Sequence, residues 1–184
     1  MNELRTEGIN GVEQLDKRYL NKCLKTLESW GAPLDCWVCT KVEDIREDDP
    51  DCPLSECELC FCDKVRYRHY MEHELYFEPV IVGCICAGIL EGDILKAKNR
   101  ERLMRNRSKR RKNFIKRKWK ETPWGAYTRT YKGKSLMITE SAGGYIVNVG
   151  SVSVSTYKDK KIKNMLSAMY AAFDLADPQS EVMQ

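Results

Sequence analysis

The sequence predicts an α+β fold: a cysteine-rich region with a long basic helix, then a small antiparallel sheet closed by a C-terminal helix. Three observations predict it. Cys57-Glu-Leu-Cys60 is followed by two β-rich arms and then by Cys84-Ile-Cys86, where a helical pattern starts. No Pro or Gly interrupts the chain from Asp93 to Trp119, and that stretch is dominated by Lys and Arg. Beyond Thr122-Pro123-Trp124-Gly125, short β-rich runs alternate with glycines until a last amphipathic segment. The implied parts are an N-terminal helix within 1–35, the cysteine-rich region and basic helix over 36–120, and a sheet-plus-helix module over 124–177.

The totals fit this division. A chain of 184 residues with 42% hydrophobic and 32% charged side chains supports one medium domain or two small ones. It has no run of about 18 apolar residues, which argues against a membrane-spanning helix. The first ten residues lack the basic and apolar regions of a secretory signal, so a cytoplasmic location is expected. In that reducing setting, nine cysteines point to metal binding and away from disulfides. The net charge of +4 hides a split. Residues 1–93 carry 10 basic and 20 acidic side chains, whereas residues 94–184 carry 21 and 7.

Taken in order, residues 12–29 read as an amphipathic helix. Val12, Leu15, Tyr19, Cys23, Leu24 and Leu27 fall at helical spacing, and Gly31 and Pro33 stop it. Cys23 lies on the apolar face and reads as a small core residue. Residues 34–45 read as a strand and 46–56 as an acidic loop. Val65–Tyr70 and Val80–Val82 read as hairpin arms joined by Glu72–Pro79. After Gly83, Ala87, Leu90, Ile94, Ala97 and Met104 continue one helical face towards Ile115 and Trp119. Four β-rich runs follow: 126–131, 135–139, 145–149 and 152–157. Lys160–Ala176 reads as a helix with Ile162, Met165, Leu166, Met169, Ala172 and Phe173 inward.

The cysteines carry the first chemical expectation. Tetrahedral zinc takes four ligands, and a C-x-x-C turn supplies two sulfurs at once. Knuckle, hairpin, then ligands at a helix start is the order of a treble-clef finger. The expected ligands to Zn2+ are therefore Cys57, Cys60, Cys84 and Cys86. Cys86 is the firmer of the last two, and His69 and His73 compete with Cys84 for the fourth place. Cys36, Cys39, Cys52 and Cys62 offer a second site. A closed four-ligand zinc leaves no position for water, so no catalytic residue is expected.

The basic segment carries the second. Residues 94–120 hold 14 Lys and Arg against one acid, Glu101. Positive charge all round a helix resists burial, because an unpaired buried cation costs several kcal/mol. Polyanion binding relieves the repulsion, and such a stripe is the electrostatic footprint of a nucleic-acid binder. Arg102, Arg105, Lys109, Arg110, Lys112 and Lys116 are the expected phosphate contacts, with DNA or RNA as the partner. Asn99, Asn106 and Asn113 recur every seven residues and could reach base edges. The apolar stripe fails where the charge is greatest, which argues against a membrane surface. No small-molecule substrate is expected.

Cys57-Glu-Leu-Cys60, Arg66-Tyr-Arg-His69-Tyr-Met-Glu-His73, Val82-Gly-Cys84-Ile-Cys86-Ala-Gly88, Glu91-Gly-Asp93, Asn106-Arg107, Arg110-Arg111 and Trp119 together resemble a family of small zinc-finger-like proteins of bacteria and phages. The resemblance covers about residues 57–176. It implies a zinc site at the matched cysteines and a mobile-element setting. The order helix–three strands–helix in the last part also resembles a double-stranded-RNA-binding domain. The expected function is zinc-dependent, non-catalytic nucleic-acid binding in a phage or bacterium. The alternative is a protein-interaction module that inhibits or adapts a host defence or transcription complex. A third reading, a metal-dependent nuclease, requires activity that His73→Ala abolishes while zinc is retained.

Overall fold

The computed structural model describes residues 15–183. They form an α+β chain of four α-helices and antiparallel sheets, in two compact units whose division falls after Arg105. The changes of texture along the sequence suggest boundaries near residues 35 and 120 instead.

The first unit begins with α1 (Lys17–Trp30). Asp16 caps it by accepting from the Arg18 amide at 2.9 Å, a contact of about 1 kcal/mol. Gly31 ends it at φ +63°, where a side chain would be strained. Leu20, Cys23 and Leu27 form its buried stripe. Val12, placed at the start of this helix by its spacing, lies outside the described residues.

A three-stranded sheet follows, with β1 (Val38–Asp44), β2 (Tyr67–His73) and β3 (Tyr76–Val82) in that order. A bulge between Cys39 and Lys41 shifts the register of β1, so Cys39, Val42 and Asp44 all point inward. On the central strand the inward row is Tyr67, His69 and Met71. The β2–β3 hairpin is longer than its hydrophobicity suggests. Only Glu74 and Leu75 connect the strands, and the expected connection Glu72–Pro79 is largely strand. Phe77 and Leu75 are exposed there, so no apolar pattern marks the arms.

The helical stretch after Gly83 is two helices, α2 (Cys84–Glu91) and α3 (Ile94–Lys116). Gly92 closes α2 in the left-handed region at φ +76°, and Asp93 caps α3 by accepting from the Lys96 amide at 2.8 Å. Gly88 has a packing role at this corner. A Cβ there would stand 2.5 Å from the Ile94 Cα, so only hydrogen fits.

The expectation that α3 is cationic on all sides requires correction. Its inward face within the first unit is Ile94, Ala97, Arg100 and Met104. Within the second it is Arg107, Ser108, Arg111 and Phe114. Three arginines thus stand where an ordinary helix would carry leucines, and each has a carboxylate. Arg100 forks onto Glu91, while Arg107 and Arg111 meet Asp174 at 2.6 and 3.3 Å. Pairing with hydrogen bonds offsets the desolvation that otherwise forbids burial.

The second unit contains a five-stranded antiparallel sheet: β4 (Lys120–Glu121), β5 (Tyr127–Tyr131), β6 (Lys134–Ser141), β7 (Gly144–Val149) and β8 (Val152–Val154). A small ribbon of β9 (Thr156–Tyr157) and β10 (Lys160–Lys161) leads into α4 (Met165–Ala176). Leu136 and Ile138 on β6 and Val147 and Val149 on β7 alternate into the core, where they meet Phe114, Phe173 and the alanines of α4. This helix starts five residues later than its periodicity suggests. Asn164 caps it by accepting from the Ser167 amide at 2.8 Å, and Lys160–Lys161 are strand. Leu166 faces solvent, and Ala168, Ala171, Ala172, Phe173 and Ala176 lie inside. A short 3-10 turn over Gln179–Val182 follows.

Candidate metal centre and basic face

Cys57-Glu-Leu-Cys60 forms a tight turn whose backbone is closed by its own hydrogen bonds. The Cys57 amide donates to the Cys62 carbonyl and the Phe61 amide to the Cys57 carbonyl, both at 2.8 Å. Phe61 takes a left-handed conformation at φ +61°. The Glu58 amide donates to the Ile81 carbonyl at 3.0 Å, which ties the turn to β3. Beyond β3 the chain enters α2, and Cys86 lies in its first turn.

Sγ atoms of Cys57, Cys60 and Cys86 lie within 4.8 Å of one another, all buried, and could hold a metal ion. The Gly83 amide points at Cys57 Sγ from 3.4 Å, a donor that favours a thiolate. Hydrogen bonding to Cys86 holds the Cys57 thiol below its ordinary range and pulls Cys60 down to about 4. Bonds to Cys23, Cys57 and Cys60 push Cys86 up in return.

A further sulfur, of a cysteine that reads in the sequence as a core residue, lies beside one member of this group. Cys23 on α1 is fully buried, with its Sγ 4.0 Å from that of Cys86, but it is not among the three sulfurs that all lie within 4.8 Å of one another. The edge of a zinc–tetrathiolate tetrahedron is about 3.8 Å for bonds of about 2.3 Å. Lys22 anchors α1 beside the turn by donating to the Cys60 carbonyl at 2.6 Å, and the Tyr19 hydroxyl sits 3.0 Å from Cys86 Sγ. The one signal in the sequence is a cysteine on a buried helix face in a chain with several other thiols. Nothing local distinguishes such a residue from a hydrophobe.

Cys84 stands apart from this cluster. In a helix, residues two apart are separated by about 200° around the axis, so Cys84 and Cys86 face different ways. Cys84 instead joins His69 of β2 and Glu101 of α3, with ligand atoms within 4.8 Å of one another. Burial and the Glu101 carboxylate push its thiol up to about 12. In the sequence Glu101 stands out only as the lone acid of the basic segment. His73 is elsewhere. It accepts from the Leu75 amide at 3.0 Å and lies beside Trp37 with ring centres 5.5 Å apart.

The other four cysteines are not brought together. Cys36 and Cys62 are exposed, Cys39 is buried against the Lys41 carbonyl, and Cys52 contacts the Pro53 carbonyl. Among the described residues no metal-compatible group includes them.

The expected phosphate contacts divide by face. Arg102, Arg105, Lys109, Lys112 and Lys116 are exposed and recur at three- and four-residue steps, so they share one side of α3. Arg105 pairs with Glu101 at 2.7 Å, and Arg102 donates to Asn99. No carboxylate among the described residues pairs with Lys109, Lys112 or Lys116. Arg110 is turned away from this side and forks onto Asp177 at 2.7 and 3.1 Å. In the second unit, Lys158, Lys160, Lys161 and Lys163 line a cleft at the start of α4.

No protein-family model, no curated protein and no solved structure matches this chain. Among the described residues no helix is long and apolar enough to cross a membrane.

Proposed function

We propose that this protein is a zinc-stabilised nucleic-acid-binding protein of treble-clef type. The observation that carries this reading is the division of α3. Its buried arginines are neutralised by carboxylates, and on its outer side Lys109, Lys112 and Lys116 have no carboxylate partner among the described residues. An exposed row of like charges opposes helix formation by a few tenths of a kcal/mol for each i, i+4 pair. A polyanion removes that cost and gains the release of its counterions. The lysine-lined cleft beside the Asn164 cap supports the same reading, since phosphate oxygens suit the amides of a helix start.

In this reading zinc is held by Cys57 and Cys60 of the turn, Cys86 of α2 and Cys23 of α1. Sulfur donors, burial and the order turn–hairpin–helix all favour zinc in a structural role. The metal joins three elements of the first unit at one point. The phosphate contacts are Arg102, Arg105, Lys109, Lys112 and Lys116. Arg110 is reassigned to holding Asp177.

The test is fluorescence anisotropy with labelled random-sequence duplex DNA and duplex RNA across a salt series. Affinity for at least one of them should fall steeply with salt. The triple variant Lys109→Ala, Lys112→Ala, Lys116→Ala should flatten the logarithmic slope on DNA by about 0.9 for each phosphate it no longer neutralises. Lack of binding at low salt would overturn the reading. So would an unchanged slope in the triple variant, or purification with one host protein in a complex that nuclease treatment leaves intact.

A further inference from the structure

His69 is fully buried on the inward row of β2, and its ring is only half satisfied. Nδ1 lies 3.2 Å from the Tyr67 carbonyl. A carbonyl only accepts, so Nδ1 carries the proton and Nε2 presents a lone pair. Nε2 has no hydrogen-bond partner among the described residues. A buried polar atom left in this state costs about 1–3 kcal/mol, so its retention asks for a reason. A ring nitrogen of His69, the Cys84 sulfur and a Glu101 carboxylate oxygen all lie within 4.8 Å of one another.

We infer that His69, Cys84 and Glu101 form a second metal site, separate from the four-thiol cluster, which takes a divalent transition ion such as zinc. Three kinds of donor converge from three elements: imidazole from β2, thiolate from the first turn of α2 and carboxylate from α3. The imidazole and the carboxylate are each oriented from behind. The Tyr67 carbonyl fixes the tautomer that leaves Nε2 as donor, and Arg105 grips Glu101 Oε1 at 2.7 Å. Such outer contacts are what metal-ligating His and carboxylate groups ordinarily have. Nitrogen, sulfur and one oxygen suit zinc better than magnesium or calcium. Three protein ligands also leave a fourth tetrahedral position for water, unlike the four-sulfur cluster. Glu101 retains 19% of its side-chain exposure, so solvent reaches that side.

The site rests on different residues from the proposed structural zinc, so the two can be tested apart. Reduced, metal-stripped full-length protein is titrated with Co2+ under argon while thiolate charge-transfer and ligand-field absorption are followed. The wild type should take up two ions per chain. Cys84→Ser and Glu101→Gln should each lose one ion and keep the strong multi-thiolate absorption, with unchanged circular dichroism. Cys60→Ser should lose the other. If Cys60→Ser changes nothing while Cys84→Ser and Glu101→Gln still lose one ion, this site stands and the four-thiol reading fails. Nitrogen-15 spectra of the two histidines give a readout that needs no variant. The His69 Nε2 resonance should move on adding Zn2+ while His73 stays put. An unmoved Nε2, or full metal uptake in Cys84→Ser, would overturn the proposal.

Discussion

Asp177 shows how much one side chain settles in the second unit. Its carboxylate is buried and accepts from Arg110, from the Tyr131 hydroxyl at 2.9 Å and from Lys132 at 3.1 Å. Its own carbonyl accepts from buried Arg107 at 2.7 Å. Burial pushes the Asp177 carboxyl up, but hydrogen bonds from Arg110, Lys132 and Tyr131 outweigh it and hold the group below its ordinary range. A carboxyl lowered in the fold stabilises fully above its unfolded value of about 3.9, and that contribution fades as pH falls through the lower, folded value. Asp177→Asn should therefore cost about 2 kcal/mol at pH 7, since two of its cationic partners are partly hydrated. The gap from wild type should hold to about pH 4 and narrow below it, as urea midpoints across pH will show. In the sequence Asp177-Pro178 reads only as a helix stop, because a carboxylate's partners from distant strands leave no local trace.

At the scale of elements, α3 is the most legible in existence and the least legible in its faces. Fourteen cations without Pro or Gly announce a helix, and the structure has one. Which cations face inward depends on Glu91 and Asp174, which lie outside the basic run. Arg107→Ala removes a buried guanidinium from the Asp174 carboxylate and the Asp177 carbonyl, so a loss of about 3–5 kcal/mol is expected. Lys109→Ala, two residues on and exposed, should stay within about 0.5 kcal/mol of wild type. Chemical denaturation of the two variants side by side checks the assignment of faces. The alternating strands of the second unit are readable because β6 and β7 each bury one face. Leu136, Ile138, Val147 and Val149 carry that alternation openly. The β2–β3 hairpin is harder, because Phe77 and Leu75 are apolar and exposed while buried His69 is polar.

Across the whole chain, the two units are built on different chemistry. The second has an aromatic and aliphatic core around Phe114 and Phe173, with a carboxylate–arginine layer beside it. The first sets Cys57, Cys60 and Cys86 together among buried aliphatic side chains, so its stability is expected to depend on metal. The three sulfurs that lie together there, those of Cys57, Cys60 and Cys86, are all legible in the sequence. The approach of Cys23 to Cys86 is not, because neighbours along the chain are visible in a sequence and neighbours across helices are not. The measurement that tests this centre most directly is metal content by elemental analysis, with thermal melting, on purified wild type and Cys23→Ser. The prediction is one ion fewer in the variant, with a lowered melting temperature that added zinc fails to restore. A variant that keeps the full complement of metal and melts like wild type would contradict a four-thiol centre built on α1, the Cys57–Cys60 turn and α2.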